Sequence, residues 1–329
     1  MTKSKTGYFY FLLVLSIIFI FSNAAYAGSE KSFPDSVTVA SGPMGGPWYS
    51  SWVKIAEVLM REIPGLTVNV MEGGGISNIR LVNEGVNAQM GMTSSYLLGD
   101  AKNGNLPFEQ KCNNFSCVGA IVTSIIQVLV PAKSDINDFN DLSDKNLAPG
   151  VRGFSSEYLL RSMLEAYGIT YDGIKENGGK INYVSWGEYP NLMGDGHIDA
   201  ACLCGQVPHP IVMQLETKVP VRLLEMGDEE RGKLLNKLPN LFTVEVPAEA
   251  YKGLEEAVKC LAYSGIFIVN NELPDDFIQK VFEVLMDNKE EIVEELPFID
   301  LISWEKVQSG LTEDDIHPAV LRIIKANTD

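Results

Sequence analysis

Histidine is scarce in this 329-residue sequence: His197, His209 and His317 are the only three, they lie far apart, and none joins the cysteines at a metal-ligand spacing. No metal site is expected, and no bound cofactor. Gly73-Gly74-Gly75 does not continue as G-x-G-x-x-G, and G-x-x-x-x-G-K-[S/T] is absent, so the phosphate loops of dinucleotide and nucleotide enzymes are missing. A G-x-S-x-G nucleophile elbow is missing too. Positive charge is in deficit, with 26 Lys and Arg against 43 Asp and Glu, which gives a formal net charge of −17. Nucleic acid and anionic lipid are poor partners for so acidic a surface.

Long apolar runs are almost absent as well. The one exception, Gly7 to Phe21, is preceded by Lys3 and Lys5 and followed by Ser22-Asn23-Ala24-Ala25-Tyr26-Ala27. It falls short of the roughly 20 residues that span a bilayer, and its basic start and Ala-x-Ala end read as a secretory signal peptide over residues 1–27, cut after Ala27. Export to the periplasm is expected. No cysteine follows the run to accept a lipid. Loss of Lys3 and Lys5 takes the charge to −19, and the length that remains suggests two lobes.

Of the five cysteines, Cys202 and Cys204 alternate along an apolar run and read as buried, inert thiols on one face of a strand. Cys112 and Cys117 flank the loop-like Asn113-Asn114-Phe115-Ser116, and an oxidising compartment would let them pair. Cys260 is left over.

Short β-rich runs alternate with helical patterns, the signature of α/β architecture with parallel strands. Ser36 to Ala40 reads as a strand, and Trp52, Ile55, Ala56, Leu59 and Ile63 then line one face of a helix that Pro47 opens. Leu66 to Met71 and Ala88 to Met92 are further strands. The rhythm restarts near Leu147, with strands at Ile181 to Ser185 and Ile198 to Leu203, and the apolar run Leu261 to Asn270 carries the chain back. These patterns predict lobe I from residues 28–124 plus 227–329, lobe II from 125–226, and two crossings that form a hinge.

In open parallel sheets, ligands bind beyond the carboxyl ends of the strands, where helix N-termini point. Five loops fall there: Ser41 to Tyr49, Glu72 to Asn78, Thr93 to Ser95, Gly150 to Ser156 and Gly205 to Pro208. All combine glycines or short hydroxyls with free N–H groups, which suits a carboxylate or phosphate. For any one loop, a tight turn explains the glycines equally well; five alike point to a cleft. Arg152 is the candidate cation, since a guanidinium in such a loop can take a carboxylate bidentately, although an exposed arginine in a loop needs no such role.

Beginning at Ser41-Gly-Pro-Met-Gly-Gly-Pro-Trp-Tyr49, the sequence resembles the TAXI family, the extracytoplasmic solute receptors of tripartite ATP-independent periplasmic (TRAP) transporters. The resemblance runs through Glu72-Gly-Gly-Gly-Ile-Ser-Asn-Ile-Arg80, Pro149-Gly-Val-Arg-Gly-Phe-Ser-Ser-Glu157, Gly205-Gln-Val-Pro-His-Pro210 and Ile316-His-Pro-Ala319. It implies a two-lobed, type II periplasmic-binding-protein fold and a monomer without catalytic activity. Such a receptor takes up a small organic anion, typically glutamate, 2-oxoglutarate or another small carboxylate, for a membrane permease driven by an ion gradient. Matched by position, Gly45, Gly46, Tyr49, Asn78, Ser94, Gly153, Ser155, Ser156 and Gly205 are implied to face the ligand. Trp48, Thr93, Ser95 and His209 depart from the family pattern, which bears on what the ligand is. Gly74, Gly75, Phe154, Gln206 and Pro208 complete the loop candidates, and Trp48 and Trp186, if they face the cleft, give it an apolar wall. Two other readings of the same scaffold stay open: a sensor-associated binding subunit and a periplasmic hydrolase without a recognisable motif.

Overall fold

Alternating Val37 and Val39 bury one face of the first strand, β1 (Ser36–Ala40), and the chain then turns through a glycine loop into the helix α1 (Pro47–Glu62). The computed structural model describes residues 33–238 and 240–328. Proline at the first helical position suits α1 because its missing N–H would have no partner there. β2 (Thr67–Met71) and the helix α2 (Gly75–Glu84) follow, and Gly85 ends α2 at φ 71°, a conformation that glycine adopts without strain. β3 spans Met90–Ser94. The sequence placed it two residues earlier; pairing of Ile266 with Thr93 and of Gly265 with Ser94 pulls both polar residues into the strand.

Two long strands organise the remainder. β4 (Phe115–Pro131) and β10 (Val258–Asn270) pair antiparallel from Ile125–Ala262 to Phe115–Asn270. Between them in sequence come β5 (Asn146–Ala148), the helix α3 (Ser155–Ala166), β6 (Lys180–Ile181), β7 (Ala200–Gly205), the helix α4 (Pro210–Leu215) and β8 (Val221–Leu223). The helix α5 (Asp228–Lys237) and β9 (Phe242–Val246), neither read from the sequence, precede β10. The sheet order is β2-β1-β3-β10-β4-β7-β5-β6, with β8 beside β4 and β9 beside β10. Parallel β2-β1-β3 lies at one end and parallel β7-β5-β6 at the other.

This is the two-lobed α/β architecture of a type II periplasmic binding protein, with β4 and β10 as the two crossings. Each parallel group buries its strands under helices: Trp52, Ile55 and Leu59 of α1 on one side, Leu159, Leu160 and Met163 of α3 on the other. α5 packs on α3, with Lys237 reaching Glu165 and the Gly227 N–H donating to the Tyr167 hydroxyl.

Cys112 and Cys117 do not pair. Their spacer is no free loop: Phe115 and Ser116 are already in register with Asn270 and Val269, so Cys117 is held in the core of β4. Cys112 stays in the preceding segment with its Sγ toward the Gln110 carbonyl. Burial pushes both thiols up. The proposed cut after Ala27 lies outside the described residues. Among those described, no helix is long and apolar enough to cross a membrane.

Candidate functional site

The two parallel groups run toward one another. Ser94, the last residue of β3, is in register with Gly265 of β10, and Gly205, the last of β7, with Ile125 of β4. Because Gly265 and Val122 are themselves partners across β10 and β4, both sets of carboxyl ends meet at the waist of the two crossing strands. Loops and helix starts from both lobes therefore crowd into one place.

A cavity of about 310 Å³ opens there. One lobe lines it with Pro43, Pro47, Trp48, Gly74 and Gly75, the other with Phe154, Ser155, Trp186 and Cys204, and Tyr263 comes from β10. Six of these ten, Trp48, Gly74, Gly75, Phe154, Ser155 and Trp186, are sequence candidates. Pro43 and Pro47 flank the first glycine loop and share its signal. Cys204 is buried, as read from its apolar strand, and also faces the cavity. Tyr263 gave no local sign; only the pairing of β10 with β4 brings it in.

The lobes touch across the cavity. The Ser94 and Ser155 hydroxyls lie 3.0 Å apart and are both buried. A Cβ on Gly74 would meet Phe154 Cδ1 at 2.4 Å, and one on Gly205 would meet Pro47 Cγ at 2.8 Å, so each glycine admits a neighbour from the opposite lobe. Trp48 Nε1 donates to Ser124 Oγ at 3.2 Å, tying the wall to the waist of β4, and Trp186 Nε1 donates to Ser156 Oγ at 3.2 Å.

Other candidates hold the loops in place. The Asn78 amide is buried and spent on backbone: Nδ2 donates to the Ser41 and Met92 carbonyls at 2.6 and 2.7 Å, and Oδ1 accepts the Gly74 N–H at 3.0 Å. Thr93 Oγ1 donates to the Gly75 carbonyl at 3.0 Å. Ser95 Oγ donates to the Asn240 carbonyl, and the Gln206 carbonyl accepts from Gln127. Gly46 is buried against Trp186. Gly45, Gly153, Tyr49 and Pro208 are not among the lining residues. Arg152 is exposed, its guanidinium 4.0 Å above the ring of Tyr183.

Among the described residues, no charged side chain lines the cavity. Its electrostatics come from three helices whose first turns reach it: α1 through Trp48, α2 through Gly75 and α3 through Ser155. The preceding residues Gly46, Gly74 and Phe154 supply no side-chain cap, while the Gly74 N–H itself donates to Ser77 Oγ and Asn78 Oδ1, so the positive ends of three helix dipoles point to the cavity. Burial pushes the Tyr96 and Tyr263 phenols up, keeping both as neutral donors. The Tyr96 hydroxyl lies near those of Ser155 and Ser94 yet completes no well-aligned hydrogen bond.

The histidines stay out of the lining. His197 is exposed in a turn, and His317 begins the C-terminal helix Pro318–Thr328, its Nδ1 accepting the Ala319 N–H. His209 is buried with Nδ1 accepting the Ile211 N–H at the start of α4, and desolvation lowers its pKa to about 4. Among the described residues, no cluster of three or more His, Cys, Asp or Glu is placed to hold a metal.

A profile of the NMT1-like family matches residues 39–325. A solved structure from Bordetella bronchiseptica RB50 has 16% identity over 89% of each chain and a TM-score of 0.51, a likeness of fold. The alkanesulfonate-binding protein SsuA from Xanthomonas axonopodis pv. citri, bound to MOPS, has 16% identity over 90% of this chain and 84% of its own, with a TM-score of 0.46. The periplasmic aliphatic sulphonate binding protein SsuA from Escherichia coli has 15% identity, 89% and 83% coverage, and a TM-score of 0.43.

Proposed function

The chain belongs to the NMT1-like family, and from that premise we propose that it is an exported solute-binding protein that closes two lobes around a small carboxylate and delivers it to a membrane permease. One observation carries the reading: three helix starts, from both lobes, meet at a single cavity that, among the described residues, no charged side chain lines. Positive dipole ends with no counter-ion suit an oxyanion. Binding rather than catalysis is supported by the Ser94 and Ser155 hydroxyls, which face one another and not a histidine.

The hinge of this proposal lies where β4 and β10 change partners, near Ile125 and Gly265. In it, residues 227–257 move with lobe II, because α5 packs on α3, and not with lobe I as the sequence pattern suggested. A ligand that touches both lobes favours the closed state by its extra contacts there. Transfer to a TRAP-type permease driven by an ion gradient follows from the sequence resemblance, as does a small carboxylate as the class of cargo.

Mass spectrometry of whatever small molecule leaves the denatured protein identifies the cargo directly. A saturating carboxylate, at 100 times its dissociation constant, stabilises the native state by about 2.7 kcal/mol. A melting shift with a neutral or cationic solute and with no carboxylate overturns the reading.

A further inference from the structure

We infer that the cavity selects a small monocarboxylate with an uncharged body over amino acids and dicarboxylates, an inference that rests on the reading of the cleft as a carboxylate site. The helix starts can meet one anionic head, but nothing in the wall can meet a second charge.

An amino acid brings an ammonium group, which needs a carboxylate or several free carbonyls once it leaves water. Among the described residues, neither Asp nor Glu lines the cavity. At the end of β3, where a carboxylate would be well placed, Ser95 is uncharged and buried, and its hydroxyl already meets the Asn240 carbonyl and the Ser264 N–H. Glu72 is exposed on the nearby loop and accepts the Met44 N–H at 3.1 Å.

A second carboxylate on the ligand needs a cation, and the cations are elsewhere. Arg152 stacks on Tyr183 in solvent. Lys54 and Arg231 are buried but engaged, Lys54 with Glu291 and Glu295, Arg231 with Glu225, Asp228 and the Met226 carbonyl. His209 stands behind Trp186, with its ring 5.7 Å from the indole, and is neutral through desolvation.

The remaining wall fits an uncharged body. Trp48, Phe154, Trp186 and Tyr263 present rings, and Pro43 and Pro47 add apolar edges. Ser155 and Tyr263 can offer hydroxyls to one further uncharged oxygen, such as a 2-oxo or 2-hydroxy group. At about 310 Å³ the cavity suits a small body.

Calorimetric titration of the full mature protein, unfolded, dialysed free of bound solute and refolded, compares pyruvate, 2-oxobutyrate and 2-oxoisocaproate with glutamate, 2-oxoglutarate and succinate at neutral pH. At least one monocarboxylate is expected to bind 100-fold or more tightly than every dianion and amino acid in the set. Glutamate, 2-oxoglutarate or succinate binding as tightly as the best monocarboxylate overturns the inference and leaves the carboxylate reading standing. Absence of binding by all six removes both.

Discussion

Ser94 Oγ and Ser155 Oγ sit 3.0 Å apart, although 61 residues separate them in the chain. One ends a strand of the first lobe and the other opens a helix of the second, so under the proposed closure this contact forms only when the cleft shuts. A single hydrogen bond contributes about 0.5–1.5 kcal/mol net. Ser94→Ala and Ser155→Ala are each expected to raise a ligand's dissociation constant several-fold, and the double variant little beyond the worse single one. Fully additive losses in that double-mutant cycle would separate the two hydroxyls energetically and remove the latch.

Gly74 and Phe154 form a second closing contact, of shape alone. A methyl group at Gly74 would stand 2.4 Å from Phe154 Cδ1 and 3.0 Å from the Gly153 carbonyl. Overpacking of this kind costs about 1–3 kcal/mol, and here an opened cleft can relieve it. Gly74→Ala is therefore expected to fold and melt near wild type without ligand, yet bind roughly 5- to 150-fold more weakly. Small-angle scattering that finds the variant closing normally with ligand would refute this.

Arg152 supplies a control. Its guanidinium over Tyr183 is exposed, and an exposed cation–π contact contributes about 0.5–1 kcal/mol to stability. Arg152→Ala is expected to lower the melting temperature slightly and to change ligand affinity by less than about threefold. A loss of tenfold or more would place the guanidinium on the carboxylate and undo the account of the cavity as free of cations.

Punctuation in the sequence made much of this visible. Glycines at 74, 75 and 205 and the proline at 47 mark strand-to-helix turns, and those turns need such residues whether or not a ligand is present, so Trp48, Phe154 and Ser155 could be placed near a cleft. Tyr263 could not, because it lies inside a 13-residue strand whose only signal is apolarity. Its position follows from the pairing of Tyr263 with Ser124 in register, a long-range relationship with no local code. Arg152 shows the converse limit. Its loop reaches the cavity through Phe154, but the direction of a long side chain two residues earlier is settled by the neighbouring Tyr183 ring.

The pH dependence of stability turns on His209. It is fully buried, its Nδ1 accepts the Ile211 N–H at 3.2 Å, its backbone N–H donates to the Tyr251 hydroxyl, and its Nε2 has no partner among the described residues. Desolvation lowers its pKa from 6.5 to about 4 in the folded protein. The unfolded state therefore binds the proton first, and the stabilisation is complete above pH 6.5 and lost as the pH falls toward 4. Between pH 7 and pH 5 this amounts to about 2 kcal/mol. Asparagine can cap the same helix start without titrating, so His209→Asn is expected to remove about that much of the difference between urea denaturation at pH 7 and at pH 5. The comparison of slopes does not depend on any uniform loss from imperfect packing of the smaller side chain. An unchanged difference would mean that His209 is already hydrated, or protonated, in the native protein, and that the acid sensitivity of the fold resides in its carboxylates.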